Sequence, residues 1–100
     1  HHDRRLEVAR SLGAERVVNT AAADLLDTVD GWTGGVGADV VVECIGRPEL
    51  WEQAFGLVAT GGELLAYGGC PADTEACFAT ERIHYGEVDV KGAFHYGRHD

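Results

Sequence analysis

Glu43, the cysteines Cys44, Cys70 and Cys77, and the histidines His84, His95 and His99 carry the chemistry to bind a metal, attack an electrophile or move a proton. A tetrahedral zinc site draws on cysteine or histidine pairs a few residues apart. Here no C-x-x-C pair exists and the histidines lack matching spacing, so the sequence predicts no metal ligand set and leaves the histidines as surface residues. His95 has the right type for an acid or base, but a lone histidine without a placed partner seldom serves as one; no catalytic residue is assigned. Glu43 interrupts an apolar run, and a buried acid needs hydrogen-bond partners. It reads as a structural hydrogen-bonding group rather than a proton carrier. Gly34-Gly35-Val36-Gly37 imitates a phosphate loop, yet it precedes a strand, whereas the dinucleotide fingerprint follows a strand and opens a helix; Val40 also stands where its third glycine belongs.

The remaining chemistry belongs to the backbone. Residues 39–44 form a near-continuous apolar run that closes on Ile45-Gly46, and residues 63–67 form another that closes on Gly68-Gly69. Such runs predict strands buried on both faces, as in parallel sheets covered by helices, which would bury Cys44. Glycine lets a backbone approach a ligand closely. In open α/β sheets ligands bind at the carboxyl ends of the strands. The sequence therefore predicts two strand ends shaped for a ligand, with no reacting group beside them.

The elements that must position these ends follow from periodicity and punctuation. Residues 3–12 predict a helix with Leu6, Ala9 and Leu12 on one face, stopped by Gly13. Residues 16–19 predict a short strand, 24–32 a second helix, and 33–37 a loop before the strand at 39–44. Residues 48–59 predict a helix with Pro48 near its first turn and Leu50, Ala54, Leu57 and Val58 inward. Gly61-Gly62 is a turn, 63–67 a strand, 71–80 mostly loop, 81–85 a short helical turn, and 88–93 the last strand. Strands alternating with helices predict an α/β, doubly wound parallel sheet of about four strands.

One hundred residues allow one domain, and a 45% apolar share supplies a core. A net charge of −9 argues against nucleic acid and anionic membranes as partners. No apolar stretch is long enough to span a bilayer and no signal-peptide pattern opens the chain. An odd count of three cysteines, one in a predicted buried strand, fits a reduced cytoplasmic protein.

The order of motifs resembles the medium-chain dehydrogenase/reductase family, and most nearly its zinc-dependent alcohol and polyol dehydrogenases. Arg5-Leu6-Glu7-Val8-Ala9 with Ser11-Leu12-Gly13-Ala14, then Thr33-Gly34-Gly35-Val36-Gly37-Ala38-Asp39-Val40-Val41-Val42-Glu43, Gly46-Arg47-Pro48, Gly61-Gly62 with Tyr67-Gly68, and Val90-Lys91-Gly92-Ala93-Phe94 follow one another in the family's order across essentially the whole chain. Cys70 departs from the proline or small apolar residue common at its position.

The resemblance implies a partial Rossmann-type fold: residues 1–100 would be an incomplete NAD(P)-binding domain, lacking its first two strands, its phosphate loop and the zinc-bearing catalytic domain. The strand at 16–19 would lose its neighbour and the strand at 39–44 would show an unpaired edge. Cys44, Ile45, Gly46 and Arg47 would line the adenosine side of the nucleotide crevice. Tyr67, Gly68 and Gly69 would lie by the nicotinamide ribose, and the backbone of Ala93, Phe94 and His95 would hold the carboxamide. Arg5, or less readily Arg4, would sit near the adenosine ribose or its phosphate. The implied parent uses NAD or NADP, with zinc held outside these residues, to move a hydride between nicotinamide and an alcohol; these residues alone would be inactive. It would assemble as a homo-oligomer through its last strand. A zinc-free quinone reductase of the same family, or a non-catalytic nucleotide-binding module, is the alternative.

Overall fold

The computed structural model describes residues 2–20 and 23–94, His2 by its backbone alone. In chain order the elements are α1 (His2–Ser11), α2 (Leu25–Thr33), β1 (Ala38–Glu43), α3 (Pro48–Gly56), β2 (Val58–Ala66), α4 (Thr80–His84) and β3 (Asp89–Gly92). Local chemistry explains the boundaries. Asp24 caps α2 by accepting the Asp27 N–H at 3.0 Å, and Gly34 ends it, its N–H bonding to the Asp30 carbonyl. Pro48 sits in the first turn of α3, where its missing N–H costs nothing.

The described strands form one sheet in the order β1-β2-β3. Both pairings are parallel, with Val41 beside Leu64 and Leu64 beside Val90. Neighbours in register share a face, so Val41, Glu43, Leu64, Ala66 and Val90 look one way. Helix α3 packs against β1 and β2. The core there joins Ala54 and Phe55 of α3 with Val58, Leu64 and Val88, and Val41 and Phe78 pack against it. The Phe55 and Phe78 rings lie 4.8 Å apart at a 47° tilt, a favourable aromatic spacing.

Several expectations need correction. Among the described residues there are three strands, not four: residues 16–19 are irregular. A strand exists only when a ladder partner takes up its N–H and C=O groups. This segment has side-chain ties instead, Asn19 Nδ2 donating to Asp3 Oδ1 at 3.0 Å and the Arg16 guanidinium standing 5.9 Å from the Trp32 ring centre. Helix α3 stops at Gly56, and β2 begins at Val58, through the glycines expected to form a turn. Its first residues pair with β1 at Ala38, and a register irregularity between Ala38 and Val40 absorbs the glycine pair. Burial of β1 on both faces does not hold either: Val40 and Val42, which face away from α3, are exposed, as is Cys44. Among the described strands β1 lies at the edge of the sheet, as expected.

Candidate nucleotide-binding rim

The residues that follow the three strands are held side by side at their carboxyl ends. The Glu43 carbonyl accepts two hydrogen bonds, from the N–H of Tyr67 at 3.0 Å and of Gly68 at 2.8 Å. The Ala66 carbonyl accepts the Ala93 N–H at 3.3 Å. The predicted positions Cys44 to Arg47, Tyr67 to Gly69, and Ala93 to Phe94 are thereby brought to one rim. His95 lies outside the described residues. Arg5 is exposed on α1, a helix whose Asp3 is tied to Asn19 rather than to the rim.

Two glycines let the rim close. Gly46 has a φ of 92°, a conformation that side chains with a Cβ rarely adopt. A Cβ there would press on the Gly69 carbonyl group, 2.8 Å from its carbon. The relation is reciprocal, since a Cβ on Gly68 would lie 2.5 Å from the Gly46 nitrogen and 2.7 Å from the Cys44 carbonyl carbon. The two strand ends therefore touch backbone to backbone, with no side chain between them.

Side chains behind the rim fix this contact. Both carboxylate oxygens of Glu43 lie 3.0 Å from the Gly46 nitrogen and accept its N–H; the residue is only 6% exposed, and the structural hydrogen-bonding role expected of it is observed. Trp51 Nε1 donates to the Gly68 carbonyl at 3.1 Å. Sequence reasoning passed over Trp51. Its signal is that a partly buried indole N–H needs an acceptor and that α3 begins directly after the first strand end. Glu52 Oε2 accepts the Cys77 N–H at 2.8 Å and so anchors the loop after Gly69.

In front, the rim shows apolar side chains to solvent: Ile45 is 72% exposed, Tyr67 49% and Phe94 81%. Arg47 is exposed beside Glu49, Nε to Oε2 3.3 Å, a surface pair that holds the guanidinium only weakly. A cavity of about 280 Å³ opens beside β1, lined by Val41, Val42, Glu43, Cys44 and Ile45 together with residues of α2 and α3. Among the described residues no three His, Cys, Asp or Glu side chains are grouped to hold a metal ion.

Cys70, on the loop that leaves the rim, is a free thiol. Burial pushes its pKa up, and the negative charges of Glu43 and Glu49 push the same way against a hydrogen bond to Thr74. The thiolate is the nucleophile, so at pH 7 Cys70 should be alkylated more slowly than the exposed Cys44 and Cys77, and should catch up as the pH rises past its raised pKa. Peptide mass spectrometry after timed iodoacetamide treatment checks this; equal rates at pH 7 would count against it.

Both the sequence and the fold have known relatives. The zinc-binding dehydrogenase family model matches residues 1–100. The chain belongs to that family. It is 38% identical over 72 residues to an alcohol dehydrogenase of Cupriavidus necator, which covers 72% of this chain and 20% of that protein. It is 34% identical over 92 residues to a sorbitol dehydrogenase of Bacillus subtilis, covering 92% of this chain and 26% of that one. A Sinorhizobium meliloti protein described as a zinc-binding dehydrogenase, and solved with NADP bound, superposes with a TM-score of 0.84 at 28% identity over 91% of this chain and 27% of its own. The chain thus spans about a fifth to a quarter of the length of these relatives. Membership in the zinc-type branch of the medium-chain dehydrogenase/reductases agrees with the order of motifs in the sequence.

Proposed function

We propose that residues 1–100 form the cofactor-holding part of an NAD(P)-dependent, zinc-dependent alcohol or polyol dehydrogenase. The observation that carries this reading is the Gly46–Gly69 contact at the carboxyl ends of parallel strands, flanked by exposed Ile45 and Tyr67. It offers backbone and apolar surface where a doubly wound sheet binds its ligand. These residues fit a dinucleotide. Ile45 would pack on the adenine, Gly46 and Arg47 would face its ribose, Tyr67 to Gly69 would face the nicotinamide ribose, and the backbone at Ala93 and Phe94 would hold the carboxamide. The nicotinamide supplies hydride transfer when bound; this chain's share is to hold and orient it.

Among the described residues no group of side chains fits zinc, and no step is drawn through it. No helix among the described residues is long and apolar enough to cross a membrane. The free thiols of Cys44, Cys70 and Cys77 suit a reducing, cytoplasmic setting. Strand β3 is exposed along its length at one edge of the described sheet, which supports pairing of copies through it.

The test is a titration of the protein that carries this chain with NAD and with NADP, followed by assay against a panel of primary, secondary and polyol alcohols. Saturable binding of either nucleotide with alcohol-dependent reduction is expected, and none from residues 1–100 by themselves. Failure to bind either nucleotide would overturn the reading, as would alcohol-dependent reduction by the hundred residues alone.

A further inference from the structure

We propose that Glu43 is a positioning residue for the dinucleotide, acting through the Gly46 N–H rather than by touching the ligand; this rests on the nucleotide reading above. Glu43 is the last residue of β1 and works in two directions at once. Its carbonyl accepts from Tyr67 and Gly68 at 3.0 and 2.8 Å, which fixes the end of β2. Its carboxylate, 6% exposed, takes the Gly46 N–H at 3.0 Å from each oxygen. One residue therefore ties both strand ends that the nucleotide must touch.

The backbone geometry makes the side-chain bond necessary. With a φ of 92°, Gly46 is the residue with the widest choice of conformations in the turn, and glycine gains the most entropy on release. The hydrogen bond to the Glu43 carboxylate holds its N–H inward. If that bond is lost, the turn is held less firmly, and the contact between the two strand ends at Gly46 and Gly69 loosens. The bound nucleotide then has to bear the cost of ordering the turn, which lowers its affinity. A carboxylate placed there only to satisfy the fold would change stability and leave the nucleotide unaffected.

Reach and charge can be separated. Glu43→Gln keeps the length and an acceptor oxygen. Glu43→Asp keeps the charge but is one methylene short of the Gly46 N–H. Nucleotide Kd, KM for nucleotide and for alcohol, and Tm are measured on the protein that carries this chain. The expected result is that Glu43→Gln stays within about threefold of the parent Kd, while Glu43→Asp raises Kd and the nucleotide KM about tenfold, roughly 1.4 kcal/mol, with the alcohol KM moving much less. Because Glu43→Asp alone could fail to fold, Glu43→Gln carries an independent arm: its Gly46 amide should remain protected from hydrogen exchange. Parent-like nucleotide binding by folded Glu43→Asp, or loss of binding by folded Glu43→Gln, would overturn the proposal. A parent protein that binds no nucleotide overturns the functional reading itself, and this proposal with it; binding by the parent together with an unaffected Asp variant overturns the positioning role alone.

Discussion

Replacing Gly46 with alanine should both destabilise the protein and weaken its hold on a nucleotide. The new Cβ meets two penalties. A residue with a Cβ at a φ of 92° bears backbone strain of about 1–3 kcal/mol. The Cβ must also push back the Gly69 carbonyl group, whose carbon lies 2.8 Å from it, and this obstacle is backbone, held by the bonds from Tyr67 and Gly68 to Glu43. Overpacking of that kind costs about 1–3 kcal/mol more. Together these predict a loss of about 2–6 kcal/mol, read as a lower urea midpoint at unchanged slope, and a nucleotide Kd at least about tenfold weaker. Gly69→Ala is the stability control, since a Cβ on Gly69 meets nothing within 4 Å; its urea midpoint should stay close to that of the parent. Equal midpoints for both variants would refute the claim that the two strand ends are in hard contact.

The second large effect is expected at Arg82, far from the rim. Its Nη1 donates to the Phe55 carbonyl at 2.7 Å and its Nη2 to the Val58 carbonyl. Its guanidinium also stands 4.9 Å from the Phe55 ring centre. These carbonyls belong to the end of α3 and the start of β2, where helix geometry leaves acceptors without intrahelical partners. Arg82→Met keeps much of the alkyl packing and removes every donor. Hydrogen bonds from a charged group contribute about 1.5–3 kcal/mol each, and two bonds from one side chain are not independent, so a loss of about 3 kcal/mol is expected. Arg47→Met removes only a surface pair with Glu49 and should cost less than about 1 kcal/mol. Chemical denaturation of the two variants decides the matter: similar midpoints would mean that Arg82 does not staple the α3–β2 corner.

The contrast between these two arginines shows what the sequence could and could not disclose. Periodicity and punctuation placed the helices and all three strands of the sheet, because those signals are local: Asp24 caps α2 and Pro48 opens α3 within one turn of the residues they serve. The glycines at both strand ends were equally legible, and they do meet. The partners of polar groups were not, since Arg82 reaches carbonyls 27 and 24 positions away and Trp51 reaches one 17 positions away. Residues 16–19 have the composition of a strand, yet composition forms no ladder without a neighbour. The start of β2 was hidden for the opposite reason. Gly61 and Gly62 look like a turn locally, but pairing of Val58 with Ala38 carries the strand through them. Cys44 was expected inside because the apolar run was read as covered on both faces, whereas the side of β1 bearing Val40 and Val42 is open in the described structure.

The register also sets how this sheet can come together. Val40 lies beside Glu63, and Glu63 beside Asp89, so each ladder closes a loop of more than about twenty residues before its first bond forms. No hairpin joins the described strands to act as a local nucleus. Parallel pairing of this kind belongs to the slower folding topologies, with relaxation in roughly milliseconds to seconds rather than microseconds. Helix α3, which spans the first of those loops and packs on both strands it joins, is the natural point from which assembly can spread.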